Sequence, residues 1–126
     1  MDVIQTNLQE IKACGFKPEP HTVAFQDEGN WFAVKNGEKI VSCLCVKQMK
    51  NTLCMSNLYT LPEYRHRGIM TKLVDFVVNK VYAGRKMEAH CLKASREIVL
   101  AAGFHVESVV YFKHGTQWRM KRDGTK

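Results

Sequence analysis

The sequence predicts an α/β or α+β domain in which helices cover a mixed sheet, and three observations carry that expectation. The dipeptide Asn36-Gly37 separates two β-rich runs, the strongest short-range hairpin signal, because such turns need residues that accept positive φ. Ile69, Leu73, Val77 and Val81 form one apolar row at spacing four, and Met70, Val74, Val78 and Tyr82 form the row beside it. Beyond that helix the period switches from strand to helix and back to strand, the alternation from which sheets covered by helices are built.

Taken in order, Ile4, Leu8 and Ile11 recur at helical spacing, Asp2 is placed to cap the start and Gly15 to close the end, so residues 2–14 read as a helix. Lys17-Pro18-Glu19-Pro20 then forces an extended connection, since proline lacks a donor and restricts its predecessor. Residues 31–35 and 39–46 read as the hairpin, and residues 52–61 as a third strand ending at Pro62. The two-row helix follows, with Gly84 to end it. A strand is expected over residues 87–92, a helix over 94–102 closed by Gly103, and strands over 106–113 and 117–121 around a His114-Gly115-Thr116 turn. Residues 123–126 are expected to fray. Trp31, Phe32, Phe76, Phe104 and Trp118 have strand or helix spacing and read as core.

A chain of 126 residues fits one domain, residues 1–126, because two cores would each be too small to offset the entropy of ordering. With 45% hydrophobic and 25% charged residues it has the balance of a soluble protein, and no apolar run approaches the roughly 20 residues of a membrane span. Met1-Asp2-Val3-Ile4-Gln5 shows no basic region leading into an apolar stretch, so a cytoplasmic location is expected. Cys14, Cys43, Cys45, Cys54 and Cys91 are an odd set, most of them in strand-like runs, which favours reduced thiols. No metal site is expected: Cys43-Leu44-Cys45 lacks zinc-site spacing and no histidine pair lies near.

Residues 1–60 carry six Lys and six acidic residues, while residues 61–126 carry thirteen Lys or Arg and six acidic ones, so the whole excess of +7 lies in the C-terminal half. Such a half attracts anions; a nucleotide cofactor, a nucleic acid and an acidic protein all qualify. The sharpest place for one is Glu63-Tyr64-Arg65-His66-Arg67-Gly68-Ile69-Met70-Thr71, between strand end and strong helix. A helix start presents unpaired N–H groups and the positive end of the macrodipole, Gly68 lets the backbone come close, and Arg65, Arg67 and Thr71 add charge and a hydroxyl.

Arg65-His66-Arg67-Gly68-Ile69-Met70 resembles the cofactor motif of the GNAT superfamily of N-acetyltransferases: Arg or Gln, two residues, Gly, one residue, then Gly or Ala. The approach Leu58-x-Thr60-x-Pro62-x-Tyr64-Arg65, the element order over residues 31–121 and Ala101-Ala102-Gly103-Phe104 before a strand extend the likeness. The resemblance implies a mixed, mostly antiparallel central sheet flanked by helices, with a shortened N-terminal part. It also implies acetyl-CoA as acyl donor, held by backbone N–H groups of residues 67–71, with Leu58, Tyr59, Thr60, Arg65, His66, Arg67, Gly68, Ile69, Met70 and Thr71 as the binding set. The pantetheine arm would pair with backbone at Thr60, and a primary amine (small molecule, lysine or protein N-terminus) would attack the thioester directly. Nothing in the chain fixes monomer or dimer.

The family pattern is not kept everywhere. Met70 replaces its second small residue, Val99 stands where a Tyr commonly protonates the thiolate, Leu92 replaces its Asn, and residues 52–61 contain no carboxylate to act as base. Glu88 and His90, on one face of the strand bordering the acceptor, are candidate bases, and Cys91, Ser95 and Tyr59 candidate donors to the leaving sulfur. The bland alternatives are solvated strand residues for the first pair and a small buried hydrophobe for Cys91. A non-catalytic module of the same fold is the alternative function. A nucleic-acid-binding domain using Lys113 and Arg119-Met120-Lys121-Arg122 ranks last, since no helix-turn-helix or aromatic platform accompanies that charge.

Overall fold

The computed structural model describes residues 1–16, 28–113 and 115–124. The expected 17–20 connection, the His114 part of the last turn and the end of the C-terminal tail lie outside them. The element order is β1 (Asp2–Thr6), α1 (Leu8–Ala13), β2 (Asn30–Asn36), β3 (Lys39–Gln48), β4 (Leu53–Thr60), a 3-10 turn (Pro62–Tyr64), α2 (Ile69–Phe76) running into a π-helical turn (Val77–Val81), β5 (Met87–Cys91), α3 (Lys93–Ala101), β6 (His105–Phe112) and β7 (Gly115–Arg122). One seven-stranded sheet has the order β1-β2-β3-β4-β5-β7-β6, antiparallel except where β4 and β5 run parallel. This is the mixed sheet with flanking helices that the sequence predicts.

The N-terminal helix expected over residues 2–14 is wrong in its first half. Residues 2–6 form an edge strand, with Val3 opposite Val34 and Ile4 opposite Ala33, so sheet pairing overrides the helical spacing of Ile4 with Leu8. Asn7, not Asp2, caps α1, its Oδ1 accepting from the Glu10 N–H at 2.9 Å. The N-terminal part thus carries an edge strand ahead of α1. In the β2–β3 hairpin, Asn36 pairs with Lys39 and only Gly37 takes positive φ (64°), because the two-residue tip is Gly37-Glu38.

Two cores lie on the two faces of the sheet. Phe32, Val34, Leu44 and Met55 face α2 and α3, packing with Leu73, Val74, Val77, Val99 and Phe104; Trp31, Ala33, Cys43 and Cys45 face α1 and its Ile11. Strand alternation sorts them. Phe76 and Trp118 are half-buried at the edge of the first core. Both rows of α2 are buried down to Val77 and Val78, but the π-helical turn unwinds the spacing and leaves Val81 40% exposed, off the row it was expected to complete. Among the described residues, no helix is long and apolar enough to cross a membrane.

Candidate functional site

The site is built where β4 leaves β5. Only Leu53, Cys54 and Met55 pair with Met87, Glu88 and Ala89; beyond them β4 continues to Thr60 and β5 to Cys91 without facing each other in register. Asn57 (φ 56°) marks a bulge in β4, across which the pairing to β3 shifts between Cys43 and Cys45. The extra residue re-phases the strand, so Met55 and Leu58, three apart, both face α2, and Tyr59 faces α1. β4 bends away and a gap opens between the halves of the sheet.

From Thr60 the chain turns through Leu61 to Gly68 into α2. Arg65 is folded back: its Nε donates to the Thr60 carbonyl at 2.9 Å and its guanidinium lies 5.5 Å from the centre of the Tyr59 ring. The Thr60 hydroxyl shares a 2.9 Å hydrogen bond with Ser42 Oγ, so the Thr60 carbonyl and side chain are engaged within the chain rather than free for a ligand. Ser42 went unmarked in the sequence, where nothing in its spacing singles it out. Arg67 is exposed, 5.4 Å from the ring of Tyr64, and His66 takes φ 63°.

Gly68 is the cap of α2, with φ 75° and no side chain accepting from the helix start. The first helical bond is Lys72 N–H to the Gly68 carbonyl, which leaves the N–H groups of Ile69, Met70 and Thr71 ahead of any intrahelical acceptor. A Cβ built on Gly68 would meet nothing within 4 Å. Ile69 and Met70 turn their side chains into the core, both 7% exposed, so the bulk of Met70 does not obstruct the turn; Thr71 is exposed beside it. Backbone donors, the positive end of a helix and Arg67 thus surround open space, an arrangement suited to a diphosphate.

The proton-transfer candidates divide between the two faces. Met87, Ala89 and Cys91 are buried toward α2 and α3, so Glu88 and His90, half-buried, point to the α1 side. That is also the side of Tyr59, which packs at 5.3 Å from the Phe16 ring and lines an open groove of about 570 Å³ with Phe16, Ile40 and Leu61. Cys91 lies on the other face, and burial pushes its thiol up to about 11 despite Arg96 nearby, so it is a protonated core residue. Ser95 is buried in α3 with its N–H donated to Leu92. Glu88, His90 and Tyr59 therefore share a side of the sheet that Cys91 does not. Val99 is fully buried in the α3 core.

Residues 4–101 match the model of the acetyltransferase (GNAT) family. No curated protein matches the chain by sequence. Solved structures share the fold. The IAA acetyltransferase from Bacillus cereus ATCC 14579 superposes with TM-score 0.73 at 19% identity over 96% of this chain and 99% of that one. The ribosomal-protein-S18-alanine N-acetyltransferase from Escherichia coli gives 0.73 at 13% identity over 99% and 96%. A GNAT family acetyltransferase from Elizabethkingia anophelis, with acetyl-CoA bound, gives 0.58 at 13% identity over 75% and 76%.

Proposed function

The chain belongs to the acetyltransferase (GNAT) family, and from that premise we propose that it transfers an acetyl group from acetyl-CoA to a primary amine. The observation that carries this reading is the uncapped start of α2 at Gly68 beside the β4–β5 gap. The residues present fit the coenzyme: the N–H groups of Ile69, Met70 and Thr71 and the charge of Arg67 would hold its diphosphate, and a Cβ-free Gly68 leaves room for it. The gap edge at Ser56 to Leu58 would flank its pantetheine arm. When bound, the coenzyme supplies an acetyl thioester, activated toward amines.

In the transfer a C–N bond forms, the C–S bond breaks, the amine loses one proton and the departing thiolate gains one. Glu88 and His90, on the α1 side of β5 next to the gap, would take the amine proton directly or through water. Tyr59 reaches the same side and is the remaining candidate to supply the thiolate proton, since Cys91 and Ser95 are buried on the opposite face.

One observation favours the second reading, a module that binds the coenzyme without turnover: Val99, where relatives commonly carry Tyr, is sealed in the core and offers no proton. One measurement tests what the readings share and a second separates them. Acetyl-CoA should raise the melting temperature under both, since only the native site gains from ligand. Release of coenzyme thiol on adding amines should occur only under the first, and its absence across small amines, lysine peptides and free N-termini would leave the module.

A further inference from the structure

On the α1 side, α1 covers β2, β3 and β4, while the same face of β5, β7 and β6 carries no helix among the described residues. Strand register orders that open face into rows running away from the gap. Met120 of β7 is buried toward α2 and α3, so Arg119 and Lys121 point to the open side. One row is Glu88 and Lys121; the next is His90, Arg119 and Ser108. His90 and Arg119 are direct cross-strand partners, their Cα atoms about 5 Å apart. Arg119 is thus the first cation met beyond the candidate base.

The two cations on this face are not equivalent. Lys121 Nζ lies 3.7 Å from Glu107 Oε1 and opposite Glu88, so carboxylates already balance it. Arg119 is exposed, and its Nε donates to the neutral Gln117 Oε1 at 3.3 Å; among the described residues no carboxylate meets its guanidinium. A fork of N–H donors with no anion, one strand from the reacting edge, matches a planar carboxylate. Resting on the transferase reading, we infer that the acceptor is an amine bearing a carboxylate near its nitrogen, and that Arg119 is the residue that selects it. The carboxylate is either the α-carboxylate of an amino acid or an acidic side chain next to a peptide N-terminus.

The test compares kcat/KM for two pairs of acceptors at fixed acetyl-CoA: alanine against alaninamide, and alanyl-glutamate amide against alanyl-glutamine amide. Wild type should favour the acidic member of at least one pair about ten-fold, the factor expected of a partly solvated charge-assisted contact, and the pair that responds identifies the source. Arg119→Gln should bring that ratio close to one, mainly through KM, Arg119→Lys should retain part of it, and Arg119→Glu should invert it. A ratio near one in wild type for both pairs, or a ratio that survives Arg119→Gln, overturns the inference. So does acetylation of none of the four by protein that acetyl-CoA stabilises. If acetyl-CoA does not stabilise the protein at all, the transferase reading falls first, and this inference with it.

Discussion

Gly68→Glu separates the stability of the α2 turn from its service to a ligand. At φ 75° a non-glycine residue costs roughly 1–2 kcal/mol. A Cβ there meets nothing within 4 Å, so no steric penalty is added. A carboxylate at a helix start recovers roughly 0.3–1 kcal/mol against the macrodipole. The net loss is about 1 kcal/mol, and the melting temperature should fall by about 3–5 °C in a chain of 126 residues. Saturating acetyl-CoA, at about a thousand times its Kd, stabilises native protein by about 4 kcal/mol, or about 15 °C. Scanning fluorimetry with and without ligand should show that rise in wild type and its loss in Gly68→Glu, whose placed negative charge repels a diphosphate. A variant that keeps the full rise would mean the turn does not hold the phosphates. A variant that loses far more than 5 °C by itself would mean the turn is packed more tightly than its open surroundings imply.

Arg65 and Arg67, adjacent in the motif, should behave differently. Arg65→Ala removes the donor to the Thr60 carbonyl and the contact with Tyr59, and should lower the urea midpoint by the equivalent of about 2 kcal/mol at unchanged slope. Arg67→Ala should change stability by less than about 0.5 kcal/mol and weaken acetyl-CoA binding measured by titration calorimetry. Of the five thiols, only Cys14 is exposed, so a disulfide reagent should label one thiol quickly in native protein and five after unfolding. Burial holds the folded Cys91 thiol up to about 11 against an ordinary value of 9.0, so between those values the folded chain keeps a proton that the unfolded chain releases. Stability should therefore fall as pH rises from about 9 to about 11, and a melting temperature flat across that window would refute the burial argument. Deleting Asn57 would leave Met55 and Leu58 two apart, so Leu58 and Tyr59 keep their faces and the chain should still fold by circular dichroism, but β4 would lose its bend and acetyl-CoA should no longer raise the melting temperature, whereas Asn57→Gly should cost less than about 1 kcal/mol and keep that rise.

Much of this arrangement is legible in the residues. Alternation alone assigns Trp31 and Phe32 to opposite faces, and the two rows of α2 mark its buried side. The motif turn and the shared face of Glu88 and His90 follow from spacing, and the same parity already sets Cys91 apart from them. β1 was hidden because Ile4, Leu8 and Ile11 imitate one helix, and its pairing depends on β2, far along the chain. The Asn7-x-x-Glu10 capping spacing is the local signal that could have divided strand from helix. The bulge at Asn57 and the π-helical turn after Phe76 leave no periodic trace, since each is a single departure imposed by packing. The folding back of Arg65 onto Thr60 is likewise tertiary: charge and position suggested a ligand contact where the chain satisfies its own carbonyl.

The junction of β4 with β5 rests on three registered residue pairs, against seven along β2 with β3 and seven along β6 with β7. A sheet sewn so lightly at one seam has a built-in line along which its halves can rock, with the helices α2 and α3 as the backing cloth. A molecule lodged in that seam would act as added stitching. Amide hydrogens of Leu53 to Met55 and Met87 to Ala89 should then exchange more slowly when the seam is filled, a stiffening readable at the strands themselves rather than at the turn that grips the ligand.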